Sequence, residues 1–202
     1  MIKLKTFINL IALSTALYLL PSLSIAGNQR YEVLSAATKQ MMSASISDQK
    51  PIFSSFMNDQ EKQTWIVPRL NYIKKRFIDE EEAINFLVTI HYEATRAGLD
   101  PDLILGLIKV ESNFKKYAIS SVGARGYMQI MPFWIDIIGE KNHNLFHLRT
   151  NLRYGCTILR HYIDIEKGNI HRALGRYNGS LGKDKYPNAV LNSVKILKEQ
   201  AK

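Results

Sequence analysis

Cysteine is almost missing from this chain: Cys156 is the one thiol in 202 residues. No intrachain disulfide can form, so the fold must stand on its apolar core. The thiol shares a helical stripe with Leu152, Gly155, Leu159 and Ile163, which is the pattern of a small core residue and not of a nucleophile. Acidic residues are also short, at 18 against 27 Lys and Arg, a formal charge of +9. Such a surface favours polyanionic partners. The cations are dispersed, without the basic run or stripe of a nucleic-acid protein, and nucleic acid is not expected. Sustained strand alternation is absent after residue 27, which points to an all-α fold. There is no internal repeat, no low-complexity tract, and no glycine loop closed by Lys-Ser or Lys-Thr. His143 and His147 stand four apart but lack the glutamate of a zinc helix and lie near Gly139 and Asn142, so neither a metal site nor any cofactor is expected.

What is present begins with a leader. Lys3 and Lys5 precede Phe7–Leu20, an uncharged apolar run of 14 residues. That is short of the roughly 20 a membrane span needs. Ser24-Ile25-Ala26 places small residues before Gly27, the pattern of a cleaved secretion signal over residues 1–26. Cleavage lowers the formal charge from +9 to +7. The expected location is the bacterial periplasm, or the membrane surface if the leader stays as an anchor. The remainder divides into a helical extension, 27–79, and a main domain, 80–202, with 46% hydrophobic residues to build a core.

Within the extension, residues 28–46 read as a helix or a loose arm. Pro51–Met57 and Trp65–Ile78 read as two or three short helices. Beyond it the signals sharpen. Glu80, Glu81 and Glu82 suit the positive end of a helix and read as its start, not as a metal site. Ile84, Leu87, Val88 and His91 form its stripe and Gly98 its stop. Asp100-Pro101 is a cap followed by a first-turn proline, predicting a helix from Pro101 to about Glu111. Further helices are expected near Thr150–Glu166, capped by Thr150 or Asn151, near Ile170–Tyr177, and near Pro187–Glu199.

Glu111 is the candidate acid. It lies seven, four and three residues after Ile104, Leu107 and Ile108 and so shares their apolar face. Burial disfavours the charged carboxylate, which suits a general acid near neutral pH. From the helix alone, the plainer reading is a glutamate closing an amphipathic helix at its exposed end. The motifs downstream turn that reading. Gly123-Ala124-Arg125-Gly126 permits a tight turn and a close backbone approach, and Met128-Gln129 offers an apolar contact beside an amide. Asp100, Asp102, Asp136 and Asp164 are available as a second carboxylate in principle. Asp100 reads better as a cap, and Asp136 and Asp164 as solvated. Trp65 and Trp134 read as core, with Trp134 the better placed for sugar stacking. Asn178-Gly179-Ser180 matches a glycosylation sequon, a pattern that occurs widely by chance.

Glu111-Ser112, then Gly123-Ala124-Arg125-Gly126-Tyr127-Met128-Gln129-Ile130-Met131-Pro132, then Asn151 with Gly155, then Tyr177-Asn178-Gly179, form an ordered set. The set resembles the signature of the bacterial soluble-type lytic transglycosylases, which share a lysozyme-like helical fold with goose-type lysozymes. The resemblance covers about residues 83–195. It implies a peptidoglycan-cleaving enzyme acting on the β-1,4 bond between N-acetylmuramic acid and N-acetylglucosamine, with Glu111 as sole acid/base and a 1,6-anhydro product. It further implies that Ser120, Met128, Gln129, Tyr177 and Asn178 contact substrate or line the groove, with Tyr177 hydrogen-bonding near Glu111. Two positions depart from the family pattern: Tyr127 replaces a common Leu, and Arg176 replaces a common Ala. A hydrolytic goose-type lysozyme and a non-cleaving wall-binding scaffold are the rival readings. The extension is a candidate contact for a cell-envelope or secretion-apparatus protein.

Overall fold

The computed structural model describes residues 29–47 and 55–200; the leader segment and residues 51–54 of the expected early helices lie outside the described residues. Eight α-helices run through those residues: α1 Ala36–Ser47, α2 Asp59–Ile73, α3 Glu80–Arg96, α4 Pro101–Glu111, α5 Phe133–Ile138, α6 Leu148–Ile165, α7 Ile170–Asn178 and α8 Lys185–Gln200. A 3-10 turn, Lys74–Arg76, follows α2. The described residues hold no strand beyond isolated bridges, Ile119 with Arg125 and Arg125 with Ile130. The all-α expectation therefore holds across them.

The helix starts follow the sequence signals. Asp79 caps α3 by accepting from the Glu82 amide at 2.7 Å. Glu80, Glu81 and Glu82 fill the first turn of α3, where the helix dipole favours anions. Asp100 caps α4, accepting from Asp102 N at 2.8 Å, with Pro101 in the first turn. Trp65–Ile78 belongs mainly to one 15-residue helix, α2, and not to two short ones. The start of α6 also differs from expectation. His147 takes the cap position without a side-chain bond, and Asn151 is used elsewhere.

Helix α4 is the axis of the fold. Leu103, Ile104, Leu105, Leu107 and Ile108 are all buried, so apolar residues surround it instead of forming one stripe. Each such side chain contributes about 1.5–3 kcal/mol of burial. Its closest neighbour is α8. Gly106 permits that approach, because a Cβ there would meet Val194 Cγ2 at 2.4 Å and Val190 O at 3.2 Å. Helix α3 packs on both α4 and α6, and α7 contacts both α6 and α8. Met42 and Ile46 of α1 and Ile66, Leu70 and Ile73 of α2 belong to the same core.

Two buried ion clusters stitch these layers. Arg69 of α2 forks onto Asp102 of α4 with two 2.7 Å bonds. Glu93 of α3, fully buried, receives Arg153 and Arg149 of α6 and Arg96 of its own helix at 2.8–3.2 Å. Burying a carboxylate is tolerable only with such partners.

Candidate active site

Glu111 ends α4 with 4% of its surface exposed. The chain then leaves the helix abruptly. Ser112 N still donates to Ile108 O at 3.0 Å, but Asn113 and Phe114 take left-handed φ of 51° and 66°. A bulky residue in that region costs about 1–2 kcal/mol. Phe114 is held there by its buried ring, which meets Phe86 and Tyr72 edge-on.

The hydroxyl of Tyr186 donates to Glu111 Oε1 at 2.5 Å. Tyr186 stands at the start of α8 and is buried, so the α4–α8 contact sets this pair. Burial, then the charge of Glu111, pushes the Tyr186 phenol well above its ordinary pKa, and it stays a donor. Removing a carboxylate from water disfavours its ionised form, and a phenol donor offsets part of that. Sequence reading passed over Tyr186. Its only local signal was a tyrosine directly before the proline of a helix start.

The glycine loop is a folded unit beside this pair. Arg125 and Ile130 exchange backbone bonds of 2.9 and 3.0 Å. The Ser120 hydroxyl accepts from Ala124 N at 3.0 Å, engaged within its own loop. Gln129, at φ 50°, donates its amide to the Gly126 and Ala118 carbonyls, so its polar end is spent on the loop. Met128 is fully buried, and its sulfur fills the space a Cβ on Gly155 would need, at 2.2 Å. Asn151 holds the unit to α6. Its oxygen accepts from Met128 N at 2.8 Å, and its nitrogen donates to the Arg125 and Leu145 carbonyls. Gly126, at φ 74°, has no room for a Cβ, which would meet Asn151 Nδ2 at 2.4 Å. That explains why Asn151 and Gly155 accompany the loop in sequence.

Tyr177 is fully buried, and its hydroxyl donates to Met128 O at 2.8 Å. It is thus a loop anchor, and the hydroxyl on Glu111 belongs to Tyr186 instead. The charge of Glu111 is nonetheless the second cause, after burial, of a strongly raised Tyr177 phenol, so the two groups are neighbours. Asn178 ends α7 and is buried, followed by Gly179 at φ 72° as a left-handed stop. Arg176 bonds Glu166 and reaches Glu32 at 3.5 Å, so this departure from the family pattern serves an ion cluster. Tyr127 packs on Phe86, its phenol pushed up to about 12 by burial. Trp134 is core, its indole donating to Gln29 Oε1 at 3.0 Å. Cys156 is also buried core, where burial pushes the thiol far up.

A second carboxylate is not evident among the sequence candidates. Asp102 is held by Arg69, and nine residues of helix place it about 13 Å from Glu111. Two-carboxylate glycosidases hold the pair roughly 5–9.5 Å apart. Asp136 is exposed, and Asp164 pairs with Arg160. No group of three or more His, Cys, Asp or Glu suited to a metal occurs among the described residues.

A family model described as the transglycosylase SLT domain matches residues 89–196, from within α3 through α8. This chain belongs to that family. The match spans every motif above, and the all-helical architecture agrees with the lysozyme-like fold that the sequence resemblance implies. A transglycosylase of Enterobacteria phage PRD1 is 29% identical over 122 residues, covering 57% of this chain and 45% of the phage protein. The membrane-bound lytic murein transglycosylase C of Actinobacillus pleuropneumoniae is 43% identical over 53 residues, 26% of this chain and 14% of the relative. The chain thus spans less than half the length of these relatives. An inactive mutant of the lytic transglycosylase Slt from Pseudomonas aeruginosa overlays with a TM-score of 0.43 at 18% identity, covering 86% of this chain and 36% of that one. That overlay is too loose for residue-level correspondence. No helix among the described residues is long and apolar enough to cross a membrane.

Proposed function

We propose that this chain is a peptidoglycan lytic transglycosylase with Glu111 as its sole acid/base. The observation carrying the reading is the buried carboxyl at the end of α4, bonded at 2.5 Å by Tyr186, in an SLT-family domain. The named activity of the relatives supports the substrate assignment.

In this reading, protonated Glu111 gives its proton to the oxygen of the N-acetylmuramic acid–β-1,4–N-acetylglucosamine bond. The C1–O bond breaks, and positive charge develops at C1, assisted by the sugar's own acetamido oxygen. The ionised Glu111 then accepts the proton of the C6 hydroxyl, whose oxygen attacks C1 and closes the 1,6-anhydro ring. Glu111 ends protonated, ready for another turn. The nucleophile is already part of the substrate, so no second carboxylate is needed to activate water. The Tyr186 donor steadies the ionised intermediate state of the acid. Ser120, Met128, Gln129, Tyr177 and Asn178 serve substrate through the loop and groove they build, with Met128 and Tyr177 acting from below the surface. Export to the periplasm through the leader places the enzyme at this substrate. Residues 27–79 form the extension to the domain beginning at 80, a candidate contact for an envelope partner.

The test digests intact peptidoglycan with the protein and with Glu111→Gln, reading products by mass spectrometry. Anhydro-muramic ends from the wild type alone support the proposal. Reducing ends indicate a hydrolytic goose-type lysozyme. Wall binding without cleavage by either protein indicates a scaffold.

A further inference from the structure

A cavity of about 420 Å³ opens where the chain turns out of the helix that carries Glu111. Asn113 and Phe114, two and three residues past the carboxyl, form part of its wall. Its cations converge from separate stretches: Lys75 and Arg76 from the turn after α2, and Lys115 and Lys116 from the loop after α4. They face one carboxylate, Glu82, which is itself turned toward the backbone of Ile78 at 3.4 Å. The floor is aromatic, with the Arg76 guanidinium 5.5 Å from the Phe114 ring and Tyr127 packed beneath. At the edge, Lys109 donates to Asn113 at 2.7 Å. Burial and then the like charge of Arg76 pull its ammonium below the ordinary lysine value. Four cations therefore share this wall with one carboxylate, Glu82, which leaves the positive charge in excess.

We infer that this cavity binds the anionic peptide stem of the glycan strand beside the bond to be cut. The inference rests on the reading that peptidoglycan is the substrate. Four cations against one acid call for a ligand with several negative charges. The volume exceeds what a lone carboxylate fills and suits a short peptide. The aromatic floor takes the aliphatic part of stem residues, while the lysines at the rim take their carboxylates. Its wall starts at Asn113, two residues and at most about 7 Å of chain past Glu111, a separation of the size of one sugar ring. Tyr127, buried against Phe86, completes the aromatic floor.

The experiment titrates the Glu111→Gln protein by calorimetry, so that no turnover occurs. The probes are an N-acetylglucosamine–N-acetylmuramic acid disaccharide carrying a tetrapeptide, the same disaccharide without peptide, and the tetrapeptide form with its carboxylates amidated. The tetrapeptide form is expected to bind about three- to tenfold tighter than either control at low salt. Lys115→Ala/Lys116→Ala in the same background should erase the difference, and Lys115→Arg/Lys116→Arg should keep it. Equal affinity for the peptide-free disaccharide, whose own lactyl carboxylate is free, overturns the assignment to the stem. An unchanged preference after the double alanine substitution overturns it as well. Binding without any wall cleavage by the wild type would sink the transglycosylase reading and leave the cavity standing. Cleavage without stem preference would do the reverse.

Discussion

Tyr186 and Glu111 lie 75 residues apart in sequence, yet the phenol of one donates to the carboxyl of the other at 2.5 Å, joining α8 to the end of α4. A hydrogen bond to a charged group is worth about 1.5–3 kcal/mol. Tyr186→Phe should therefore lower kcat by roughly ten- to a hundredfold and the melting temperature by a few degrees, about 2–4 °C per kcal/mol lost. The pH profile carries the sign. The lost bond favoured ionised Glu111, so its removal raises the pKa of the acid and moves the alkaline limb of kcat/KM upward. Tyr186 itself, held well above its ordinary value, contributes no alkaline limb below pH 10. Unchanged turnover and an unchanged profile would remove Tyr186 from the chemistry.

Asn151 is the mechanical hold on the glycine loop. Asn151→Ala leaves Met128 N and two carbonyls without their partner. The expected loss is about 2–3 kcal/mol, read by urea unfolding. Activity should fall further than stability alone accounts for, because Met128 then loosens beneath the loop. Asn151→Asp keeps the acceptor but sets a buried carboxylate against the Arg125 and Leu145 carbonyls, and should cost at least as much as Asn151→Ala.

Glu93 should behave as a keystone. Glu93→Ala strands the buried Arg153 and removes the common partner of Arg96 and Arg149. Destabilisation by about 3–5 kcal/mol is expected in calorimetric melting. A change under about 1 kcal/mol would mean that solvent reaches the cluster in solution.

Glu166 gives a stability term that depends on pH. Hydrogen bonds from Arg172, then Arg176, hold its carboxyl below the ordinary value of 4.5. A depressed carboxylate stabilises the fold above 4.5, and that contribution is lost as pH falls through the lower folded value. The wild-type melting temperature should thus drop more steeply below about pH 4.5 than that of Glu166→Gln, with the two curves converging in acid. Parallel curves would show that the pairing contributes nothing.

The helices that carry the site were legible from short-range chemistry. Glu80, Glu81, Glu82, Gly98 and Asp100 act within a few residues of themselves, so α3 and α4 could be placed with near-correct ends, and Glu111 with them. The partners of those residues were not legible, because they depend on long-range packing. Tyr177 and Tyr186 are both buried tyrosines on the C-terminal side, and the family resemblance pointed to the former. The direction of each hydroxyl is fixed by the α7–α8 turn and by the approach that Gly106 allows. Gln129 and Met128 read as groove residues from the family resemblance and from the amide and apolar contact they offer a sugar. The loop instead folds on itself around Asn151 and turns them inward. The Glu93 cluster was missed for a related reason: a glutamate and three arginines from two helices resemble ordinary surface charge until the helices are packed.

The close fit of α8 over Gly106 makes the acid and its phenol a gauge of whether the C-terminal helix is seated. A displacement of α8 too small to unfold anything would separate Tyr186 from Glu111. A small shift of α8 would act on the pair alone, whereas truncation of residues 185–200 would also take Tyr186, Val190 and Leu197 out of the core. Under the proposed reading, an activity assay would then sense the seating of one helix earlier than a melting curve does.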